Sequence, residues 1–507
     1  MLVLARLQFA ITAIAHYVFV ALTLGLVTYL VVMQTRWAVT GDERHRRQTR
    51  FWGQLYLVNY ALGIGTGIVM EFQFGLVWSG LTHYTGNVFG APLAIETLVA
   101  FFAESTLLGL WIFGWDRMGR VAHTVVLWLV ALTAWSSVYF VLTANGFLNH
   151  PVGYEIVDGQ VRLTDFTALL TNTNALSATA HIMAGSMVTG SFFVIAVSAW
   201  HLRRRTGHEE FFWSSMKLAL PLAPVFVALT AALGGVQIGF SVEQTPTKYG
   251  ERSPETAAVV RGFTERFGPG DYLPPEISRT AEVLMVIPAL FMGALTVLAV
   301  LFMVKRNLIR RKVLLWLLTA ALVLPYLSNV SGWVFREVGR QPWAVYGVLK
   351  TEDAITPGLT SGTVLTSLLV FGGLVALLVL VDWALLLRFA RRGPDATQLG
   401  RAPEEDGEDR DGPGGGAGRA GGAGGTGGAG EAGEARASRV RPPHRACPRR
   451  PRPPPRRPSA PSDRAERTGV HRVAHRLVHV AGTAPGRRPR PRRHHPRHRD
   501  RRPCTGP

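Results

Sequence analysis

Nine stretches of this chain, near residues 9–33, 53–78, 93–115, 122–145, 175–201, 217–240, 281–304, 313–335 and 364–389, are apolar almost throughout. Each reaches the ~20 residues that an α-helix needs to cross a bilayer. A chain with so many helices that lack a polar face can fold only as an all-α, polytopic transmembrane bundle, because lipid and neighbouring helices are the only surfaces that accept them. The first stretch follows Arg6, as a signal sequence would, but it is longer than an h-region and no cleavage pattern ends it, so it is read as a retained span.

Basic residues alternate from one side of the bundle to the other. Arg36, Arg44, Arg46, Arg47 and Arg50 occupy the first connection, Arg117 and Arg120 the third, Arg203, Arg204, Arg205 and Lys217 the fifth, and Lys305, Arg306, Arg310, Arg311 and Lys312 the seventh. These loops are assigned to the cytoplasm, so the N-terminus lies outside and the C-terminus inside. The formal net charge of +20 is no sign of a nucleic-acid partner, because 25 arginines against 11 acids after residue 400 supply most of it. We divide the chain into a membrane-embedded domain, residues 1–392, with an external loop at 241–280, and a basic Arg/Pro/Gly tail, residues 393–507. The tail is too poor in apolar residues to bury a core and is expected to be disordered. It has no aromatic residue for stacking on bases. Both cysteines, Cys447 and Cys504, lie there, so any metal chemistry of the membrane domain must use His, Met or carboxylate.

Polar residues inside the spans then carry the functional signal. Glu96 and Glu104 share one apolar run with no Lys or Arg within a turn. A carboxylate in hydrocarbon costs on the order of 3 kcal/mol and usually faces the bundle interior on a proton or ligand pathway. Eight residues apart on a straight α-helix, the two would be offset by about 80° and about 12 Å, a ladder on one face. Counted from the outer ends of their spans, His16, Glu71, Glu96, His181, Met285 and Glu337 fall in one outer layer. Imidazole and thioether ligate haem iron. A lone span His serves as often as an interhelical hydrogen bonder, and Met285 alone would be ordinary packing. The shared depth favours haem. The glycines at 63, 65 and 67 follow no strand, which argues against a dinucleotide fingerprint and for close helix contact. The outer loop 241–280 carries Pro and Gly breakers and one expected short helix near 255–266. Trp333 and Arg340 stand at the outer interface, the latter with a fork suited to a carboxylate.

Five stretches, RLQFAITAIAHYVFV, FWGQLYLVNYALGIGTGIVMEFQFG, HYTGNVFGAPLAIETLVAFFAESTLLGLWIFGWDR, HIMAGSMVTGSFF and GRQPWAVYGVLKT, together resemble subunit I of the cytochrome bd-type quinol oxidases across residues 1–395. The resemblance implies two haem b groups, one low-spin and one high-spin, and one haem d. It further implies oxidation of quinol near the outer face and reduction of dioxygen to water without a pump. His181 and Met285 match the axial pair of the low-spin haem. His16 matches a ligand of the oxygen-reducing site, with Glu96 and Glu337 as carboxylates that bind or neighbour iron. Glu104, Ser105 and Ser137 match the proton route from the cytoplasm, and Trp333 and Arg340 match residues at the haem cluster. A second homologous membrane subunit and a small single-span subunit are the implied partners, in the lipid bilayer of a bacterial cytoplasmic membrane.

Two positions depart from the family pattern. Where its quinol loop carries KLAAxE, this chain has Lys248 followed by YGERSPE, with acids at Glu251 and Glu255, and where Arg commonly stands two residues before the axial Met it has Val283. Two further functions share parts of this pattern: a haem-binding or quinone-sensing membrane protein without oxidase turnover, and a transporter using Glu96 and Glu104 for proton coupling, for which no internal repeat is evident.

Overall fold

Helices that are apolar all round must pack on one another or on lipid, and the computed structural model, which describes residues 1–400, has nine that are long and apolar enough to cross a membrane among those residues. They are span 1 (Leu2–Thr40), span 2 (Glu43–Leu76), span 3 (Ser79–Phe113), span 4 (Arg120–Asn149), span 5 (Thr173–Arg204), span 6 (Glu209–Gln244), span 7 (Ile277–Leu301), span 8 (Lys312–Val338) and span 9 (Ser361–Arg392). Each apolar stretch of the sequence lies wholly or all but two or three residues within one of them, and the helices start before it. The largest difference is at residues 79–92, which fall between two apolar stretches of the sequence and yet are helical. Span 3 is not uniform. Pro92 removes one backbone donor, and Glu96–Phe101 form a π turn before the α-helix resumes at Phe102. Span 8 is interrupted after Ala320 and resumes at Val323.

Span 5 is the centre. Its most apolar window is 89% buried, against 12% for span 3 and 11% for span 9, which therefore form part of the rim. Small residues let it touch so many neighbours. A Cβ on Gly25 of span 1 would lie 2.7 Å from Cα of Gly190 in span 5, so the two backbones meet where only glycine fits. Four residues further along span 1, the Tyr29 hydroxyl is 2.7 Å from Ser191 Oγ.

On the outer side the connections are structured. Strands β1 (Tyr154–Val157) and β2 (Gln160–Leu163) form an antiparallel hairpin, as do β3 (Trp343–Val345) and β4 (Leu349–Lys350). The loop 241–280 has its expected helix at Thr256–Phe267. It is clamped onto the second hairpin by aromatic packing. Tyr272 stacks on the buried Trp343 at 5.7 Å, Phe263 lies 4.7 Å from the same ring, and Thr247 Oγ1 is 2.9 Å from the Tyr346 hydroxyl.

On the cytoplasmic side, the composition change at residue 393 is not the end of the packed chain. Residues 394–399 fold back over span 2. Leu399 joins the main apolar core, its carbonyl accepts from Arg50 Nε at 2.5 Å, the Gln398 amide donates to Gln54 Oε1 at 2.6 Å, and Asp395 pairs with Arg47. The expected disorder of the tail beyond residue 400 lies outside the described residues.

Candidate functional site

An imidazole can bind iron only through a nitrogen lone pair, so the partner of its other nitrogen matters most. His16 Nδ1 lies 3.0 Å from Thr66 Oγ1 in span 2, and that hydroxyl gives its own proton to the Gly63 carbonyl at 2.7 Å. Nδ1 must therefore donate, which leaves the Nε2 lone pair available. His181 has the same arrangement on a different helix pair, with Nδ1 2.9 Å from the Thr230 carbonyl of span 6, an acceptor only. Both rings sit over glycine. A Cβ on Gly67 would come 3.1 Å from His16 Cε1, and one on Gly234 would come 3.0 Å from His181 Cε1.

Span 8 sets the level of these groups. Met285 Sδ would be 3.0 Å from a Cβ on Gly332, and the Tyr17 ring, next to His16, stacks on Trp333 at 5.5 Å. One turn inward, Asn329 donates to Thr189 Oγ1 at 2.8 Å and its Oδ1 lies 2.9 Å from where a Cβ on Gly185 would be, one turn along span 5 from His181. His16, His181 and Met285 are thus brought to one level around Gly332 and Trp333. Val283, two residues before Met285, faces outward from the bundle.

Glu337 ends span 8 about one turn outward of that level. Its Oε1 accepts from Asn145 Nδ2 at 2.9 Å and its Oε2 from Arg340 Nη2 at 2.7 Å. Arg336 donates to Asn145 Oδ1 at 2.7 Å and to Asn174 Oδ1 at 2.8 Å. Lys248 joins this group from the loop. Its stem lies against Gly339, its Nζ is 4.5 Å from the Phe335 ring centroid, and Arg336, Arg340 and Glu337 all act on its charge. Burial first, and then the two guanidinium groups, pull the Lys248 ammonium down to about 7, against an upward pull from Glu337. Three buried cations therefore face one carboxylate, and Arg340 Nη1 has no protein partner. Such a cluster suits an anionic group that completes it. The loop is tied to span 7 by a two-bonded pair of Arg252 with Glu282, at 3.2 and 2.8 Å. Glu255 accepts from Ser253 Oγ at 2.8 Å, and the side chain of Glu251 lies outside the described residues.

The remaining candidates lie deeper. Glu96, in the π turn, accepts from Ser137 Oγ of span 4 at 2.8 Å. Ser137 is eight residues from Asn145, so Glu96 stands about 12 Å inward of Glu337 and not in its layer. The cause is the helical start of span 3 at Ser79, which the sequence disguised as a loop. The π turn also changes the phase between Glu96 and Glu104, so the 80° offset of a straight helix does not hold. Glu104 is buried, its Oε1 has no protein partner, and the same is true of Ser105 Oγ and the Tyr56 hydroxyl. Ser137 is thus partnered with Glu96, not with Glu104. Glu71 is exposed on the side of the bundle. Asn145, Asn174, Arg336, Thr66 and Thr230 were not singled out from sequence. Of these only Arg336 carries a signal of its own, as a cation beside an acid at a span end.

Among the described residues no three His, Cys, Asp or Glu side chains converge on a bare metal ion. A porphyrin supplies four ligands itself and asks the protein for one or two, which is what His16, His181 and Met285 can give. The fold is that of a multi-pass membrane protein, and its donor set could hold a haem. A sequence profile described as Cytochrome bd terminal oxidase subunit I matches residues 4–252 and 250–394. Cytochrome bd ubiquinol oxidase subunit 1 of Bacillus subtilis (strain 168) is 34% identical over 443 residues, covering 78% of this chain and 94% of the relative. Cytochrome bd-II ubiquinol oxidase subunit 1 of Escherichia coli (strain K12) is 31% identical, covering 80% and 99%. The structure of bd oxidase from Geobacillus thermodenitrificans aligns with a TM-score of 0.69 at 24% identity, over 78% of this chain and 99% of that one, a likeness of fold. The chain belongs to the cytochrome bd terminal oxidase subunit I family, and is a subunit of a quinol:oxygen oxidoreductase.

Proposed function

We propose that this chain is the haem-bearing subunit of a respiratory oxidase that oxidises membrane quinol at its outer side and reduces dioxygen to water, building a proton gradient without pumping. His181 and Met285 hold the low-spin haem b. His16 serves the oxygen-reducing site, which contains the high-spin haem b and haem d, with Glu96 and Glu337 as the carboxylates at or beside iron. Bound there, haem would supply one-electron redox chemistry and a site for dioxygen. The observation that carries this reading is the pair of imidazoles whose Nδ1 is fixed by an acceptor and whose Nε2 is left for a metal, at the level of Met285. The buried cations Arg336 and Arg340 suit haem carboxylates, and Trp333 stacked on Tyr17 holds span 8 against His16. The complex sits in a bacterial cytoplasmic membrane with a second homologous subunit and a small single-span one.

Protons and electrons part company in this scheme. Quinol releases its protons outside, whereas the protons for water come from the cytoplasm through Glu104 and Ser105 toward Glu96, which Ser137 orients. Buried acids without fixed partners can take up and release a proton, and a half-reaction on each side makes the gradient. An absorption spectrum of the purified complex tests the whole reading. Haem d beside haem b is expected, haem b alone would make the protein a sensor, and the absence of both would sink the proposal.

Lys248 is the residue of the quinol loop best placed to meet a hydroxyl, with Glu251 three residues on. An ammonium that titrates at about 7 can donate to the quinol oxygen or accept its proton near neutrality. Replacing Lys248 by Met should raise KM for quinol about tenfold, equivalent to ~1.4 kcal/mol, and remove one ionisation near pH 7 from kcat/KM. Oxygen consumption measured against quinol concentration between about pH 5.5 and 9 checks this. An unchanged ionisation in the variant would assign it elsewhere. Linkage gives an independent sign. Because the folded value lies below that of a free lysine, the unfolded loop binds more protons between about 7 and 10.5, so loop stability should rise with pH across that window.

A further inference from the structure

Only two acidic residues among the described ones are buried, Glu104 at 6% exposure and Asp382 at 3%, and the function proposed above uses only the first. The two have similar surroundings. Glu104 Oε1 and Asp382 Oδ1 both lack a hydrogen-bond partner. Each is accompanied by a buried tyrosine whose hydroxyl is also unpartnered. For Glu104 this is Tyr56, and for Asp382 it is Tyr326, on which its charge acts and whose ring lies 5.5 Å from that of the adjacent Trp383. Counted from the cytoplasmic ends of their spans, Glu104 is nine residues in and Asp382 ten, so both stand ~14 Å from that side. A carboxylate held there without a cation is costly, and such residues mark proton or ion paths.

The surroundings of Asp382 lead outward. Tyr326, Asn329, Trp333 and Glu337 follow one another on span 8 at steps of three, four and four residues, which puts them on one face over ~16 Å. At successive levels along span 8, Asn329 is held by Thr189, Trp333 by Tyr17 and Glu337 by Asn145 and Arg340. We propose that Asp382 and Tyr326 form a second protonatable site, loaded from the cytoplasm, that releases its protons outward, toward the level of Glu337. The step is a proton transfer alone. The carboxylic O–H bond of Asp382 breaks as its proton passes to the Tyr326 hydroxyl oxygen, which gives its own proton outward to water, and the carboxylate re-forms its O–H bond with a proton from the cytoplasmic side, while no electron moves. A purely structural acid would satisfy the same space, and there asparagine would serve equally.

The inference rests on the oxidase reading, and its test separates the two. Infrared difference spectra, reduced minus oxidised, are recorded on the purified complex for the parent, Glu104→Gln and Asp382→Asn. A protonated-carboxyl band that survives Glu104→Gln, shifts in heavy water and vanishes in Asp382→Asn is expected, with oxygen consumption per haem reduced about threefold to tenfold in Asp382→Asn. Parent turnover and an unaltered carboxyl region in Asp382→Asn would overturn it. Should that variant fail to assemble, Asp382→Glu and Tyr326→Phe must each displace the same band, and an unmoved band overturns the proposal. Quinol-dependent oxygen consumption by the parent complex judges the oxidase reading separately.

Discussion

Glu104→Gln should leave the haems assembled and cut steady-state oxygen consumption about a hundredfold, the scale on which a positioned proton donor acts. The substitution keeps size and hydrogen bonding and removes only the ability to gain and lose a proton. Burial of Glu104 beside Ser105 and Tyr56, all with unpartnered atoms, is what a relay needs, because a group already saturated by fixed partners exchanges protons poorly. Glu104→Asp still titrates but is one methylene short, and should retain more activity. If Glu104 were only an interhelical hydrogen bonder, Gln would replace it without loss. Oxygen consumption per assembled haem d in the two variants decides, and near-normal turnover in the Gln variant would end the relay reading.

The second large effect is expected at the low-spin haem. His181→Ala and Met285→Leu should each abolish the low-spin spectrum and lower quinol oxidation by more than about a hundredfold, beyond the loss typical of an outer partner alone. His181→Gln is the sharper variant. Its amide can still donate to the Thr230 carbonyl, so the helix contact survives while the ligand nitrogen is gone. Spectra of reduced membranes from the three variants measure the outcome, and an unchanged low-spin band in all of them would refute the axial pair.

The spans were legible because an apolar run of that length has one physical meaning, whereas their ends were not. Residues 79–92 contain Ser79, Thr82, His83 and Tyr84, which look like loop, yet backbone hydrogen bonds carry the helix through them once neighbours cover it. The displaced start moved Glu96 out of the layer assigned to it. His16, His181 and Met285 were readable because imidazole is rare in hydrocarbon and thioether gained meaning from its company. The amides that organise Glu337 and Arg336 were not. Asn145 and Asn174 lie near span ends where a polar residue is unremarkable, and only the folded chain shows that they meet across spans 4, 5 and 8. Sequence spacing carries no information on which of two carboxylates a neighbouring helix will face, and only the folded chain shows Ser137 donating to Glu96.

The fold-back of residues 394–399 over span 2 imposes an order on biogenesis. Arg47, Arg50 and Gln54 leave the ribosome early, and their partners Asp395, Leu399 and Gln398 follow some 350 residues later. Loop closure over that separation is slow relative to local helix pairing. Until span 9 has been inserted, the cytoplasmic end of span 2 lacks the cover that residues 394–399 give it. A nascent chain that has not reached residue 394 therefore lacks the contacts that tie Arg47, Arg50 and Gln54 to the end of the packed chain.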